Sequence, residues 1–156
     1  LLGLGLLLAG ALYAAPPSQR TPAAGAEGAV RARYVEGDLD AALALARDEG
    51  LSGLAQQLAA VRDGWLAGER RLQAGDPEAA RALLDAALQQ DAALAPAGGP
   101  LALELRQRLS RVHAALATRH LAAGARAAAE QSLRTALQLD ARNREARAAL
   151  DRLQAR

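Results

Sequence analysis

Gly75-Asp76-Pro77-Glu78, set between two runs of helical spacing, limits the possible folds more than any other stretch. Glycine readily takes the left-handed backbone conformation that ends a helix, so Gly75 reads as a helix terminator. Asp76 is suited to cap the helix that follows. Pro77 fits its first turn, and Glu78 complements its positive end. Ala80, Leu83, Leu84, Ala87 and Leu88 then fall on one stripe at 3–4 residue intervals. Residues 72–91 (LQAGDPEAARALLDAALQQD) thus predict two antiparallel helices joined by a tight turn. A weaker copy lies 49 residues on, where Leu121-Ala122-Ala123-Gly124 precedes Ala129, Leu133, Ala136, Leu137 and Asp140.

A helix pair that recurs is the mark of a stacked helical array. Composition supports this, because the chain has no Phe, Met, Cys or Ile, one Trp and two Tyr. Ala and Leu must pack nearly the whole core. Both are strong helix formers, and Ala lets helices approach closely. The valines (Val30, Val35, Val61, Val112) never alternate with polar residues, so strands are not expected. In chain order, a short helix over 29–36 ends at Gly37, and Asp38 caps a second with Leu39, Ala42, Leu43 and Ala46 inside. After the break at 50–53, helices are expected over 54–74 and 77–90, a loop over 92–100, and helices over 101–123 and 126–139. Asn143 is placed to cap a last helix over 144–154, whose Ala146, Ala149, Leu150 and Leu153 form one stripe. The expected fold is all-α: a short α-solenoid of about three antiparallel pairs closed by a C-terminal capping helix.

On these residues the stretch 27–156 resembles the tetratricopeptide repeat family, whose unit is a 34-residue antiparallel helix pair. Gly68, Ala80, Leu84, Ala87 and Asp91 stand at the family's preferred positions in the middle unit, with Gly75-Asp76 at its turn. In the third unit Leu116, Ala117, Ala129, Leu133, Ala136, Leu139 and Asp140 match, with Gly124 at the turn. In the first, Gly37-Asp38, Ala42 and Ala46 match before Gly50 interrupts. The chain departs from the pattern at its aromatic positions, where Arg71 and His120 replace a common Tyr. The proline expected after each unit is replaced by Ala92 and Ala141. The turn glycines are spaced 38 and then 49 residues apart, which implies elongated, irregular units.

Residues 1–15 (LLGLGLLLAGALYAA) carry no charge. They cover only roughly 22 Å as a helix, short of a span of about 20 residues. With no initiator Met, they read as the end of a longer hydrophobic run, a single-pass membrane anchor with Tyr13 at its interface. A signal-peptide core and a soluble buried helix are the alternatives. Residues 16–26 (PPSQRTPAAGA) read as a Pro/Ala-rich linker.

Chemistry of the kinds that enzymes use is hard to find. His113 and His120 are seven residues apart on one expected helix, about 10 Å along its axis, too far to share a metal. The serines include no G-x-S-x-G elbow, and the glycines form neither a P-loop nor a dinucleotide fingerprint. Asp38/Asp40 and Asp76/Glu78 sit where helix N-termini attract acids and are better read as caps. No enzyme activity, metal or cofactor is expected. The absence of cysteine excludes disulfides and thiolate metal sites. Nucleic acid is not an expected partner either, since the basic half holds no stacking aromatic.

What remains is an interaction surface. Net charge is +2, divided between −5 over 27–100 and +6 over 101–156. The complete absence of Lys reads as codon bias in a GC-rich, bacterial coding sequence. The resemblance implies a concave groove lined by the first helix of each pair, which here would include Arg31, Tyr34, Arg62, Trp65, Glu69, Leu72, Arg111, Ala114 and Thr118. Whether Trp65 faces this groove or the core stays open on the sequence. Some family members clamp a C-terminal carboxylate with Lys and Asn; Glu69 and Thr118 stand at the Asn positions here, which disfavours that partner class. The expected function is a membrane-anchored scaffold docking a protein or peptide, with its repeat domain on the periplasmic side. The alternatives are a self-assembling element whose opposite-charge halves make a homo-oligomer, or the tail of a larger signalling or enzymatic protein.

Overall fold

Glycine turns between helices organise the molecule. In the computed structural model, which describes residues 25–155, Gly75 has φ +74° and Gly124 has φ +74°. Around Gly75, the Asp76 N–H donates to the Arg71 carbonyl at 2.9 Å and the Gly75 N–H to that of Leu72 at 3.0 Å. Around Gly124, the Ala125 N–H reaches the His120 carbonyl at 2.8 Å. Both turns close off carbonyls that a helix end leaves unpaired.

Among the described residues every regular element is a helix: α1 (Ala26–Val35), α2 (Leu39–Asp48), α3 (Ser52–Gln73), α4 (Pro77–Leu94), α5 (Ala102–Ala122), α6 (Arg126–Leu139) and α7 (Arg144–Gln154), with no strand. The expected caps form. Asp38 Oδ1 accepts from the Ala41 N–H at 3.0 Å, Asp76 Oδ1 from Ala79 at 3.2 Å, and Asn143 Oδ1 from Ala146 at 3.0 Å. Each satisfies one of the four orphan donors of its helix, a contribution of about 1 kcal/mol.

Consecutive helices pack as adjacent pairs, most extensively α3 with α4 and α5 with α6. Gly68 explains the closeness of the α3–α4 pair. A β-carbon there would stand 2.6 Å from Leu84 Cγ, so only glycine admits the crossing. The core falls into three parts. Val30, Tyr34, Leu43 and Ala46 meet Leu54, Leu58 and Val61 of the first half of α3, closed by Leu94 and Ala95. Ala80, Leu84 and Ala87 pack against Leu105, Leu109, Val112 and Leu116 of α5. Ala129, Leu133 and Ala136 meet Ala114, Ala117 and the α7 residues Ala146, Leu150 and Leu153. Each fully buried leucine contributes about 1.5–3 kcal/mol of transfer free energy.

Asn143, the chain's one asparagine, also ties α7 down. Its Nδ2 donates to Ser110 Oγ at 2.8 Å, and that buried hydroxyl donates to the Ala136 carbonyl at 2.8 Å. One side chain thus caps α7 and links it to the α5–α6 pair.

Two expected boundaries need correction. The helix expected to end near residue 90 runs on to Leu94, and Asp91 lies inside it. The added turn forms because Asp91, Leu94 and Ala95 are buried beneath α1. The first helix also begins earlier than expected, at Ala26, because Ala26 is itself covered and the Gly25 carbonyl accepts from the Ala29 N–H at 3.0 Å. The apolar segment 1–15 lies outside the described residues, as does nearly all of the 16–26 linker. No helix of the described residues is long and apolar enough to cross a membrane.

Candidate protein-binding face

Helix α3 carries Arg62, Trp65, Glu69 and Leu72 at intervals of three and four, so they share one face. Where this face meets α5, Arg108 reaches across. Its guanidinium carbon lies 5.7 Å from the centroid of the Trp65 ring, a cation–π contact. It pairs with Glu69 and, at 2.8 Å, with Glu104 one turn back on its own helix. These ion pairs, the one to Glu69 foremost, hold the Arg108 pKa above its ordinary value against the opposing effect of burial. The Arg108 and Glu69 side chains each keep 20% of their surface exposed. The cluster therefore opens outward.

Its hydrogen bonding is incomplete. Trp65 Nε1, Glu69 Oε1 and Arg108 Nε are buried atoms without a partner. Among the described residues only one further buried side-chain atom, Asp91 Oδ2, shares that condition. Leaving such a group unpaired costs about 1–3 kcal/mol, so native folds seldom collect several in one place. The cluster sums to −1, from two carboxylates and one guanidinium.

On the other flank of α5 a groove of about 320 Å³ runs between α5 and α7 over Leu133 of α6. Ala114, Ala117, Leu121, Ala149 and Leu153 supply its apolar half, and Thr118, Glu145 and Arg152 its polar half. Leu121 is 43% exposed, one of four large apolar side chains with that much open surface among the described residues.

The structure brings together some of the residues expected to line a groove and separates others. Trp65, Glu69 and Leu72 share the α3 face. Trp65 lies at the border of two roles: its ring packs against the central core while Arg108 covers its face. Ala114 and Thr118 line the α5–α7 groove, Ala114 buried in its floor and Thr118 exposed, its hydroxyl donating to the Ala114 carbonyl at 3.2 Å. Arg111 is exposed between the two features. Arg62 is engaged locally, 3.2 Å from Asp63 and 3.6 Å from Asp40.

The two α1 residues stand apart from this face. Arg31 donates to the Leu94 carbonyl at 2.9 Å and to Glu27 at 2.9 Å. Tyr34 is 1% exposed, and its hydroxyl donates to the fully buried Asp91. Burial and that hydrogen bond push its pKa far above the ordinary tyrosine value. Asp91 also accepts from the Leu101 N–H at 3.4 Å, and the chain passes so close at Gly99 that a β-carbon there would overlap the carboxylate. This is a core lock between α1 and the end of α4.

Sequence reasoning overlooked Arg108 and Glu104. Their only signal is a Glu and an Arg four residues apart, a common stabilising pair on exposed helix surfaces. His113 is half-buried between α4 and α5. Burial lowers its pKa, which Asp85 opposes and Arg81 reinforces. Among the described residues no three His, Asp or Glu side chains are grouped to hold a metal ion. A scan of the chain against protein-family models finds no match, and a search of curated proteins finds none either.

Proposed function

We propose that this chain is a non-enzymatic docking module, a short α-solenoid of the tetratricopeptide type that offers the face of α3, α5 and α7 to a protein or peptide. The Trp65–Glu69–Arg108 cluster carries this reading, because an aromatic ring, a guanidinium and a carboxylate come together where parts of Glu69 and Arg108 remain exposed. Trp and Arg are also the residue types most enriched where binding energy concentrates. The odd-numbered helices come first in successive pairs, so in a solenoid they would line its inner surface. Residues 1–15 serve in this reading as a single-pass anchor, with the helical domain on the periplasmic side of a bacterial inner membrane; this part rests on the sequence. The test is a photo-crosslinking residue placed at Arg111 or, on the outer side, at Arg81, in cells that make the chain. A discrete adduct from Arg111 alone is expected. Equal yields from the two positions, or none from either, would reject the docking face.

A second reading, self-assembly, is favoured by charge. Arg142, Arg144 and Arg147 line one depression of about 430 Å³ at the C-terminal end, while 27–100 is net −5. Opposite ends of two copies would attract at low ionic strength and release as salt screens them. Light scattering at low and high salt separates the readings: a mass that stays monomeric throughout excludes assembly.

A further inference from the structure

Two exposed helix faces, far apart in the helix order, carry matching patterns of opposite sign. On α2, Asp40, Ala44 and Asp48 recur at four-residue intervals, and all three are exposed. On α7, Arg144, Ala148 and Arg152 recur at the same intervals, and all three are exposed. Residues four apart share a helix face, and eight residues span about 12 Å of axis, so the outer charges are equally spaced on both helices. Alanine at each centre lets two such axes approach to about 8 Å, the short end of helix packing. With the flanking Arg47 on α2, and Arg147 and Asp151 on α7, the faces carry −1 and +2. Within one copy they stay apart, because α2 packs against α1 and α3, and α7 against α5 and α6.

The same charges are poorly served inside the chain. A helix C-terminus favours cations and an N-terminus favours anions. Asp48 is the last residue of α2 and Arg144 the first of α7, so each stands at the unfavourable end of its helix. Among the described residues neither takes part in an ion pair. Asp40 lies 3.6 Å from Arg62 but keeps 83% of its side chain exposed. Arg152 donates through Nε to the Ala148 carbonyl at 3.1 Å and has no carboxylate partner. Resting on the self-assembly reading above, we propose that the α2 face of one copy docks antiparallel on the α7 face of another: Asp48 against Arg144, Ala44 against Ala148, Asp40 against Arg152. This direction, unlike the parallel one, joins the two misplaced charges, so each is offset by the other. The contact uses a different surface on each copy, so it repeats head to tail and builds chains that lengthen with concentration. Exposed ion pairs are individually weak and screened by salt, so the chains form at low ionic strength and dissociate at high.

The chain has no cysteine, so one introduced at each centre reports the contact without background. Full chains carrying Ala44→Cys or Ala148→Cys are mixed in mild detergent at low salt and oxidised. The mixed disulfide is expected to exceed either same-site disulfide at least fivefold, since only facing positions bring Cα atoms within the roughly 7 Å that a disulfide spans. Adding Asp48→Arg to the first chain should lower its yield at least fivefold, and adding Arg144→Asp to the second should restore it. Each reversal suits its own helix end better than the parent residue does, and circular dichroism checks that the fold is kept. Sedimentation of the parent chain at low and high salt gives the mass independently. No excess of the mixed disulfide, or an excess that Asp48→Arg leaves unchanged, overturns the α2–α7 pairing. If the mass nevertheless grows at low salt, self-assembly stands on other surfaces; a monomer at every salt concentration overturns both.

Discussion

Two polar clusters join helices that are distant in sequence, and they are finished differently. Tyr34–Asp91 is sealed: the hydroxyl and carboxylate are essentially inaccessible, the 95–101 segment covers them, and Gly99 leaves no gap. Trp65–Glu69–Arg108 is open: its residues retain surface, and three of its buried atoms lack partners. A buried polar group repays its desolvation only through hydrogen bonds. The first cluster meets most of that cost inside the fold and fixes α1 against α4. The second leaves part of the cost outstanding, on three buried atoms. The contrast separates a polar cluster that positions helices from one suited to recognition.

Stability measurements should pull the two clusters apart. Asp91→Ala strips the partner from the buried Tyr34 hydroxyl and from the Leu101 N–H, and is expected to lower unfolding free energy by about 3 kcal/mol. Tyr34→Phe removes one donor from the carboxylate and is expected to cost about 2 kcal/mol. Urea midpoints at unchanged slope check both. Gly68→Ala comes next, at about 1–2 kcal/mol. The added β-carbon collides with Leu84, and overpacking outweighs the helix propensity that alanine gains. Arg108→Gln and Trp65→Phe should each cost less than about 1 kcal/mol, since the cluster is partly exposed and already incompletely bonded. If Arg108→Gln proves as damaging as Tyr34→Phe, the distinction between lock and recognition site collapses.

The smallest expected effect concerns pH. Burial holds the folded-state pKa of His113 below its ordinary value near 6.5. As pH falls below about 6.5 the unfolded chain takes up a proton more readily than the folded one, so stability declines until the folded imidazole titrates too. His113→Gln should flatten this part of the slope. Urea midpoints at about pH 7.5 and about pH 5.5, for parent and variant, measure the difference. Identical slopes would show that His113 does not contribute.

Much of the fold could be read directly from the residues. Asp38, Asp76 and Asn143 were recognisable as caps because a cap acts on backbone groups three residues away. Gly75 and Gly124 were recognisable as turns for the same local reason. The α6 and α7 boundaries were anticipated, and so were the stripes of Leu39, Ala42, Leu43 and Ala46 and of Ala80, Leu84 and Ala87. The end of α4 was not, because Asp91 resembles a helix-ending residue until Tyr34 covers it from 57 positions away. The candidate face was half legible. Trp65, Glu69 and Leu72 come from the family resemblance, and their spacing sets them on one face of α3, whereas Arg108 looks like any exposed arginine paired at i−4.

The sequence by itself determined most of the helices and their glycine turns, and that Ala and Leu must fill the core, because caps, left-handed glycines and apolar periodicity act within one or two turns. The tertiary structure decided which polar side chains share an environment. Tyr34 became a core residue, Arg108 covered Trp65, and the α5–α7 groove opened over Leu133. Those outcomes depend on how one helix lies across another, and no repeat in the residues encodes the resulting balance between desolvation and partner.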